Sequence, residues 1–207
     1  MRFTGAPVGR CALLAATLSL AAFLALAGVA AQQYWFEIDH SVRQFIGFTR
    51  HPMLDAPMRG FSVLGDQFGL IPLIAMTSAA LWSCHRRWAL ALPVVMAGTG
   101  GLQLLTKWAV DRPRPNLAEW GFPSGHVLAL VVFFGVIAYL LCTARAGWGW
   151  RRVAAGVAGV TVLIVAFSRL YLDVHWLSDV AGGFVLGLAY LLLTIWLVES
   201  ISRRPAQ

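Results

Sequence analysis

The sequence predicts an all-α polytopic membrane protein, a six-helix transmembrane bundle in a single domain over residues 1–207. Three observations carry that expectation. Of 207 residues, 59% are hydrophobic and 12% charged, with mean hydropathy +0.72. A soluble domain of this length cannot hide so much apolar surface, so lipid must be the main solvent. Six stretches, at about 11–31, 61–83, 88–107, 126–143, 153–171 and 177–198, reach or approach the ~20 apolar residues of a spanning helix. The alternation of a membrane barrel is absent, and an isolated strand in lipid would leave its backbone unpaired.

The first stretch, with Arg10 before it and Val29-Ala30-Ala31 at its end, also has the layout of a secretory signal. It is longer than a usual signal core, and we read residues 1–31 as ending in a retained span. Residues 32–60 form an outer interfacial segment. Within it Asp39 is placed to cap a short helix whose Val42, Phe45, Ile46 and Thr49 share one face, opposite Arg43, Gln44 and Arg50. Such a helix fits the outer leaflet, as a connector or as a lid for a lipid substrate. Asp66 stands near the outer end of the second span; capping or packing competes there with a functional role. Gly98, Gly100 and Gly101 in the third span and Gly182, Gly183 and Gly187 in the sixth read as close-packing positions. Residues 107–125, stiffened by Pro113, Pro115 and Pro123, read as an active-site loop between two helix ends. A short polar tail follows Glu199.

The net charge of +7 is a topology signal rather than a sign of a nucleic-acid partner. Arg2, Arg10, Arg86, Arg87, Arg145, Arg151, Arg152, Arg203 and Arg204 all fall on one side if six spans alternate, which makes that side, with both termini, cytoplasmic. Nearly all the acids fall on the other side, Glu199 excepted. Trp35, Trp108, Trp120 and Trp176 at outer ends, and Trp82, Trp88, Trp148, Trp150 and Trp196 near inner ends, read as aromatic belts. Cys11, Cys84 and Cys142 read as free thiols without metal-binding spacing.

Three polar blocks interrupt the apolar chain: Lys107 through Arg114-Pro115, Pro123-Ser124-Gly125-His126, and Ser168-Arg169 through His175 to Asp179. With alternating spans, all three come out on the outer face. The helix start at 124–126 is a plausible anion cradle: first-turn amides are unpaired and the helix dipole favours negative charge. Ser124 adds a hydroxyl, and Gly125 allows close approach to the backbone. Lys107, Arg114 and Arg169 supply cations for phosphoryl oxygens, although Lys107 and Arg114 alone could be ordinary interfacial cations. Arg112, also followed by proline, competes with Arg114. His175 and Asp179, at i and i+4, share one helical face, where the carboxylate can hold Nδ1 and leave Nε2 nucleophilic. His126 remains as general acid.

These blocks resemble the three signature motifs of the type 2 phosphatidic acid phosphatase family, K-x6-RP, PSGH and SR-x5-H-x3-D, in order and spacing. The resemblance covers the chain from about the second span to the sixth. It implies a membrane lipid phosphatase in which His175 becomes a phosphohistidine, Asp179 orients it and His126 protonates the leaving group and then activates water. It implies that Lys107, Arg114, Ser124, Gly125 and Arg169 bind phosphate, with no metal or cofactor. Arg112, Asp66 and Asp173 are secondary candidates. Two positions depart from the commonest pattern: Val127 stands where a small residue is frequent, and Asp173 where glycine is often found.

The expected enzyme sits in the cell inner membrane with its site facing the periplasm. Its substrate is undecaprenyl diphosphate, phosphatidylglycerophosphate or phosphatidic acid, with a slight preference for the polyprenyl diphosphate. Alternatives are a lipid A phosphatase or phosphotransferase of the same chemistry, and a non-catalytic lipid-phosphate binding or transport protein. The related haloperoxidases are soluble, which the spans argue against.

Overall fold

Each apolar run folds into helix, because only helices and closed barrels pair every backbone group inside a bilayer. The computed structural model describes residues 10–143 and 147–202, with Arg10 and Ser202 as backbone only. Among these are eight helices and no strand: α1 Arg10–Ala31, α2 Glu37–Thr49, α3 Pro52–Val63, α4 Gln67–Leu81, α5 Arg86–Val110, α6 Gly125–Thr143, α7 Trp148–Tyr171 and α8 Leu177–Ser202. Arg2, Arg145, Arg203 and Arg204 lie outside the described residues, as does the end of the polar tail.

Helix α6 is the axis of the bundle. It packs on α5, α7 and α8, and Leu128, Leu130, Val132 and Val136 on it are fully buried. Helix α1 lies against α8 and α5, contributing Ala16, Phe23 and Ala30 to the interior. Leu14, Leu18 and Leu24 of α1 and Val157 and Leu163 of α7 are exposed, as lipid-facing side chains are. By length and hydropathy α1, α5, α6, α7 and α8 can each cross a membrane, and the bent pair α3–α4 meets the same measure only when taken together, as a broken span or a re-entrant loop.

That bent pair corrects an expectation. The stretch 61–83 is not one helix; the chain bends by 43° between α3 and α4. Asp66 is the reason. With φ −97° and ψ 177° it leaves the helix, and its Oδ1 accepts from Phe68 N at 2.8 Å and Gly69 N at 3.3 Å, capping α4. Asp66→Ala is therefore expected to cost about 0.5–2 kcal/mol, read as a lower melting temperature in detergent.

The segment 32–60 is more helical than expected. It holds α2 and most of α3, the latter opened by Pro52, with His51 Nδ1 accepting from Met53 N at 3.3 Å. Asp39 is not the cap of α2: Phe36 occupies that position, and Asp39 sits in the first turn, buried against the bundle. Ile46 faces inward with it, while Phe45 and Phe48 on the same helix point out. The glycine expectation divides as well. A Cβ on Gly98, Gly182 or Gly183 would collide with a neighbouring helix or loop and one on Gly187 would be tight against α6, whereas Gly100 and Gly101 face open space. The tryptophans divide too: Trp82, Trp108, Trp120, Trp148, Trp150 and Trp196 are exposed at bundle ends, but Trp88 and Trp176 are buried.

Candidate active site

All three polar blocks meet at one end of the bundle. Helix α5 delivers Lys107 in its last turn, α7 delivers Arg169 in its last turn, and α6 and α8 start beside them. The two starts touch backbone to backbone: Ser124 N donates to Asp179 O at 2.9 Å. Gly183, one turn further along α8, lets Ser124 O approach to where its Cβ would stand, at 2.4 Å.

Ser124 is the N-cap of α6, since its carbonyl accepts from Leu128 N at 3.1 Å, so the next three amides have no intrahelical partner. Ser124 is fully buried. Its Oγ, Arg114 Nε, Arg169 Nε and His175 Nδ1 are all buried without a hydrogen-bond partner in the protein. Buried polar atoms normally find partners, and three of these four belong to groups that bind phosphate well. Arg169 Nη1 donates to Ser62 Oγ on α3, and Lys107 Nζ donates to Trp120 O at 2.8 Å. His126 lies within electrostatic reach of Arg169, His175, Lys107 and Arg114. The two histidines and three cations therefore share one polar cluster.

Gly125 has a different neighbour from the one expected. Its Cβ would meet the Gln103 amide at 2.1 Å, so the missing side chain admits Gln103 from α5.

His175 precedes α8 by two residues, so His175 and Asp179 do not share a helical face as expected. They meet through a cap. Trp176 is the N-cap of α8, its carbonyl accepting from Val180 N at 3.2 Å, and Asp179 Oδ2 reaches back to Trp176 N at 2.8 Å. This is the reciprocal half of a capping box. The same oxygen lies 3.5 Å from His175 Nδ1, longer than a formed hydrogen bond.

Arg112 is not part of the anion cluster. Fully buried, it donates through Nη1 to Asp179 Oδ1 at 2.9 Å and Ser178 Oγ at 2.7 Å, and through Nη2 to Asp39 Oδ2 at 3.1 Å. Its guanidinium carbon lies 6.0 and 5.9 Å from the ring centroids of Trp35 and Trp176. That commitment of both Nη atoms leaves Arg114 as the phosphate candidate of the first block, although Arg112 Nε, like Arg114 Nε, is buried without a partner. Asp39 Oδ1 also accepts from Ser178 N at 2.8 Å, so Asp39 does cap a helix, but the helix is α8.

Asp173 is held elsewhere. Its φ of 59° is left-handed, which glycine adopts freely and aspartate tolerates. Its carboxylate pairs with Arg43 at 2.8 Å and Arg50 at 3.1 Å, tying α2 to the turn before His175. Burial alone would raise its pKa, but the bonds to these two arginines prevail and lower it. Asp66 stands by His126 at the wall of a groove, and Val127 is buried in the core.

Burial pushes the His175 imidazole down to about 4, against the opposing pull of Asp179. The unfolded chain takes up its proton below the ordinary 6.5, the folded chain only below about 4. Stability from this group is thus complete above about pH 6.5 and falls as pH drops toward 4, by about 3 kcal/mol at most. Melting in detergent is expected to decline across that window, and His175→Asn to flatten the decline.

A groove of about 840 Å³ opens between α4, α5 and α6. His126, Asp66 and Gln103 stand at its polar end; Ile71, Ile74 and Met96 line its length, with Gly100 in its floor. Ser62, Gln103 and Ser178 were not singled out from sequence. Asp39 was, but as the cap of its own helix; its place in line with Val42 and Ile46 on the inward face of α2 was the signal that it is buried against the bundle.

The PAP2 superfamily model matches residues 88–203. Phosphatidylglycerophosphatase B of Bacillus subtilis (strain 168) is 32% identical over 174 residues, covering 80% of this chain and 85% of that protein. An undecaprenyl-diphosphatase of Sulfolobus acidocaldarius is 35% identical over 74 residues, 36% of this chain and 32% of its own length. The crystal structure of a transmembrane PAP2-type phosphatidylglycerolphosphate phosphatase from Bacillus subtilis matches with a TM-score of 0.79 at 30% identity, covering 91% of this chain and 98% of that one.

Proposed function

Because the chain belongs to the PAP2 superfamily and is a lipid phosphatase of that family, we propose that it works through a phosphohistidine on His175, within one domain spanning the chain. His175 Nε2 attacks phosphorus in line as the bond to the lipid oxygen breaks, and His126 gives that oxygen a proton. His126 then takes a proton from water, whose oxygen attacks the phosphohistidine; the P–N bond breaks and inorganic phosphate leaves. Lys107, Arg114, Arg169, Ser124 Oγ and the first amides of α6 hold the non-bridging oxygens. Phosphoryl transfer needs such positioning and charge more than bond-making machinery. Asp179 orients His175.

The observation that carries this reading is the set of unpartnered buried donors, Ser124 Oγ, Arg114 Nε and Arg169 Nε, beside a histidine kept neutral by burial. A neutral imidazole is the nucleophilic form. The arginines 86, 87, 151 and 152 begin α5 and α7 at the opposite end, which supports a periplasmic site in an inner membrane.

For the substrate, phosphatidylglycerophosphate takes first place, ahead of the polyprenyl diphosphate that sequence favoured. The support is the name carried by the Bacillus subtilis relative and by the Bacillus subtilis structure, each matched over most of its own length. The groove ending at His126 suits an acyl tail that stays in lipid. Undecaprenyl diphosphate is the second reading, resting on the shorter archaeal match.

The test is phosphate release by detergent-purified protein, with chelator, from phosphatidylglycerophosphate, phosphatidic acid, undecaprenyl diphosphate and a lipid A phosphate. The highest kcat/KM is expected on phosphatidylglycerophosphate. Release from none of them would favour a binding or transport protein, and dependence on added metal would contradict the mechanism. Gly100→Phe, entering open space, should fill the groove. Losing a few buried methylenes at about 0.8 kcal/mol each would lower kcat/KM for long-chain substrate by one or two orders of magnitude. A short-chain substrate should be spared; equal loss on both would place the tail elsewhere.

A further inference from the structure

Helix α2 is joined to the His175 segment on both sides. On one side Arg43 and Arg50 hold Asp173, two residues before the histidine. On the other, Asp39 and Arg112 hold the first turn of α8, four residues after it. Asp39, Arg43, Val42 and Ile46 also line a small cavity together with His175 itself.

The second junction is a closed set of bonds. Arg112 lies between two carboxylates, Asp39 and Asp179, and Ser178 Oγ bridges it to Asp39 at 2.7 Å. All four groups are buried. Asp179 is thereby shared. One oxygen takes Arg112, and the other takes Trp176 N and stands 3.5 Å from His175 Nδ1. How firmly Arg112 holds Asp179 decides how much of that carboxylate is left for His175, and Asp39 on the far side of the guanidinium sets that hold.

From this geometry we infer that Asp39 and Arg112 are positioning residues for His175, acting through Asp179. The inference rests on the reading of His175 as nucleophile. Both Nη atoms of Arg112 and both oxygens of Asp39 are held within this set of bonds, so neither residue is assigned as a substrate contact. What they supply is the direction and the charge of the Asp179 carboxylate. A structural brace alone could hold α2 in place with any well-packed pair. A shared guanidinium makes a distinct demand, because removing either end changes the field at His175 in opposite senses.

That opposition supplies the test. The groups facing His175 are Lys107 from α5, His126 from α6, Arg169 from α7, Asp179 on α8, and Asp39 and Arg43 from α2. In Asp39→Asn the arginine bears on Asp179 alone, which then stabilises a charged imidazole less, so the acid limb of kcat/KM moves to lower pH. In Arg112→Gln Asp179 is released toward His175, and the limb moves to higher pH. Both variants are expected to lose on the order of 10- to 100-fold in kcat with KM little changed, as when partners orienting a functional histidine are removed. Glu37→Gln, exposed on the same helix, should leave all three quantities unchanged.

Where Arg112→Gln alone does not fold, the double variant Asp39→Asn/Arg112→Gln, which removes one charge of each sign, takes its place. Its limb should lie above that of Asp39→Asn. Coincident limbs, or activity that falls only in step with the folded fraction, would overturn the inference. Trapping the phosphoenzyme of the unmodified protein separates the two levels. A label on a residue other than His175 refutes the nucleophile, whereas a label on His175 with coincident limbs refutes the positioning pair alone.

Discussion

His175→Ala is expected to lower phosphate release by on the order of 10⁴-fold or more while leaving a folded protein that still binds inorganic phosphate. Removing a nucleophile leaves only the charge stabilisation and positioning supplied by the rest of a site. Here that remainder is large. Lys107, Arg169 and the start of α6 belong to helices α5, α7 and α6, and Arg114 to the loop between α5 and α6, so none of them is carried by the imidazole. Asp179 keeps Trp176 N and Arg112 as partners when the ring is gone. The measurements are turnover on a lipid phosphate, melting in detergent and phosphate affinity. Turnover near the unmodified rate, or a covalent phosphate found on another residue, would reassign the nucleophile.

Gly183→Val is expected to be strongly damaging although it alters no charged group. A Cβ at Gly183 would stand 2.4 Å from the backbone oxygen of Ser124, which cannot swing away as a flexible side chain could. Overpacking of this kind costs about 1–3 kcal/mol, and a backbone obstacle puts the change at the upper end. The functional consequence is larger. Ser124 caps the helix that carries His126, and Gly183 lies one turn beyond Asp179, so parting α6 from α8 parts the two histidines. A misplacement of about 1 Å can cost about 10²-fold in rate. Gly101→Ala is the internal control: nothing stands within 4 Å, and alanine's helix preference should make it neutral or stabilising by up to about 1 kcal/mol. Equal melting temperatures for the two variants would show that α6 and α8 do not depend on this contact.

The membrane spans and the three motifs were legible along the chain, because both depend on local composition. A run of apolar residues is read without knowing its neighbours, and placing the motifs at alternate span ends requires only counting. The bend before α4 was half legible. Asp66 was recognised as a capping candidate, but the apolar residues on either side of it concealed that the cap interrupts the span. The error at Asp39 has a different origin. From sequence its nearest unpaired amides belong to its own helix, and the amide it does cap, Ser178 N, is 139 residues away. Gln103 against Gly125 and Ser62 against Arg169 are contacts of the same long-range kind. Arg112 and Arg114 are both arginines before proline; the K-x6-RP spacing favoured Arg114, and only the structure shows why Arg112 is committed elsewhere, between Asp39 and Asp179.

What the chain's own order of residues determined was the solvent, the helical class, the family and the end of the bundle where chemistry gathers. These follow from hydropathy and spacing, which are properties of neighbours in sequence. Tertiary structure alone decided that Arg112 is consumed by two carboxylates. It also decided that His175 meets Asp179 through a helix cap, and that α2 is bonded into the site. Those outcomes turn on which buried donor finds which acceptor, and in a bundle the partners come from helices distant in sequence, brought together only when the apolar faces pack.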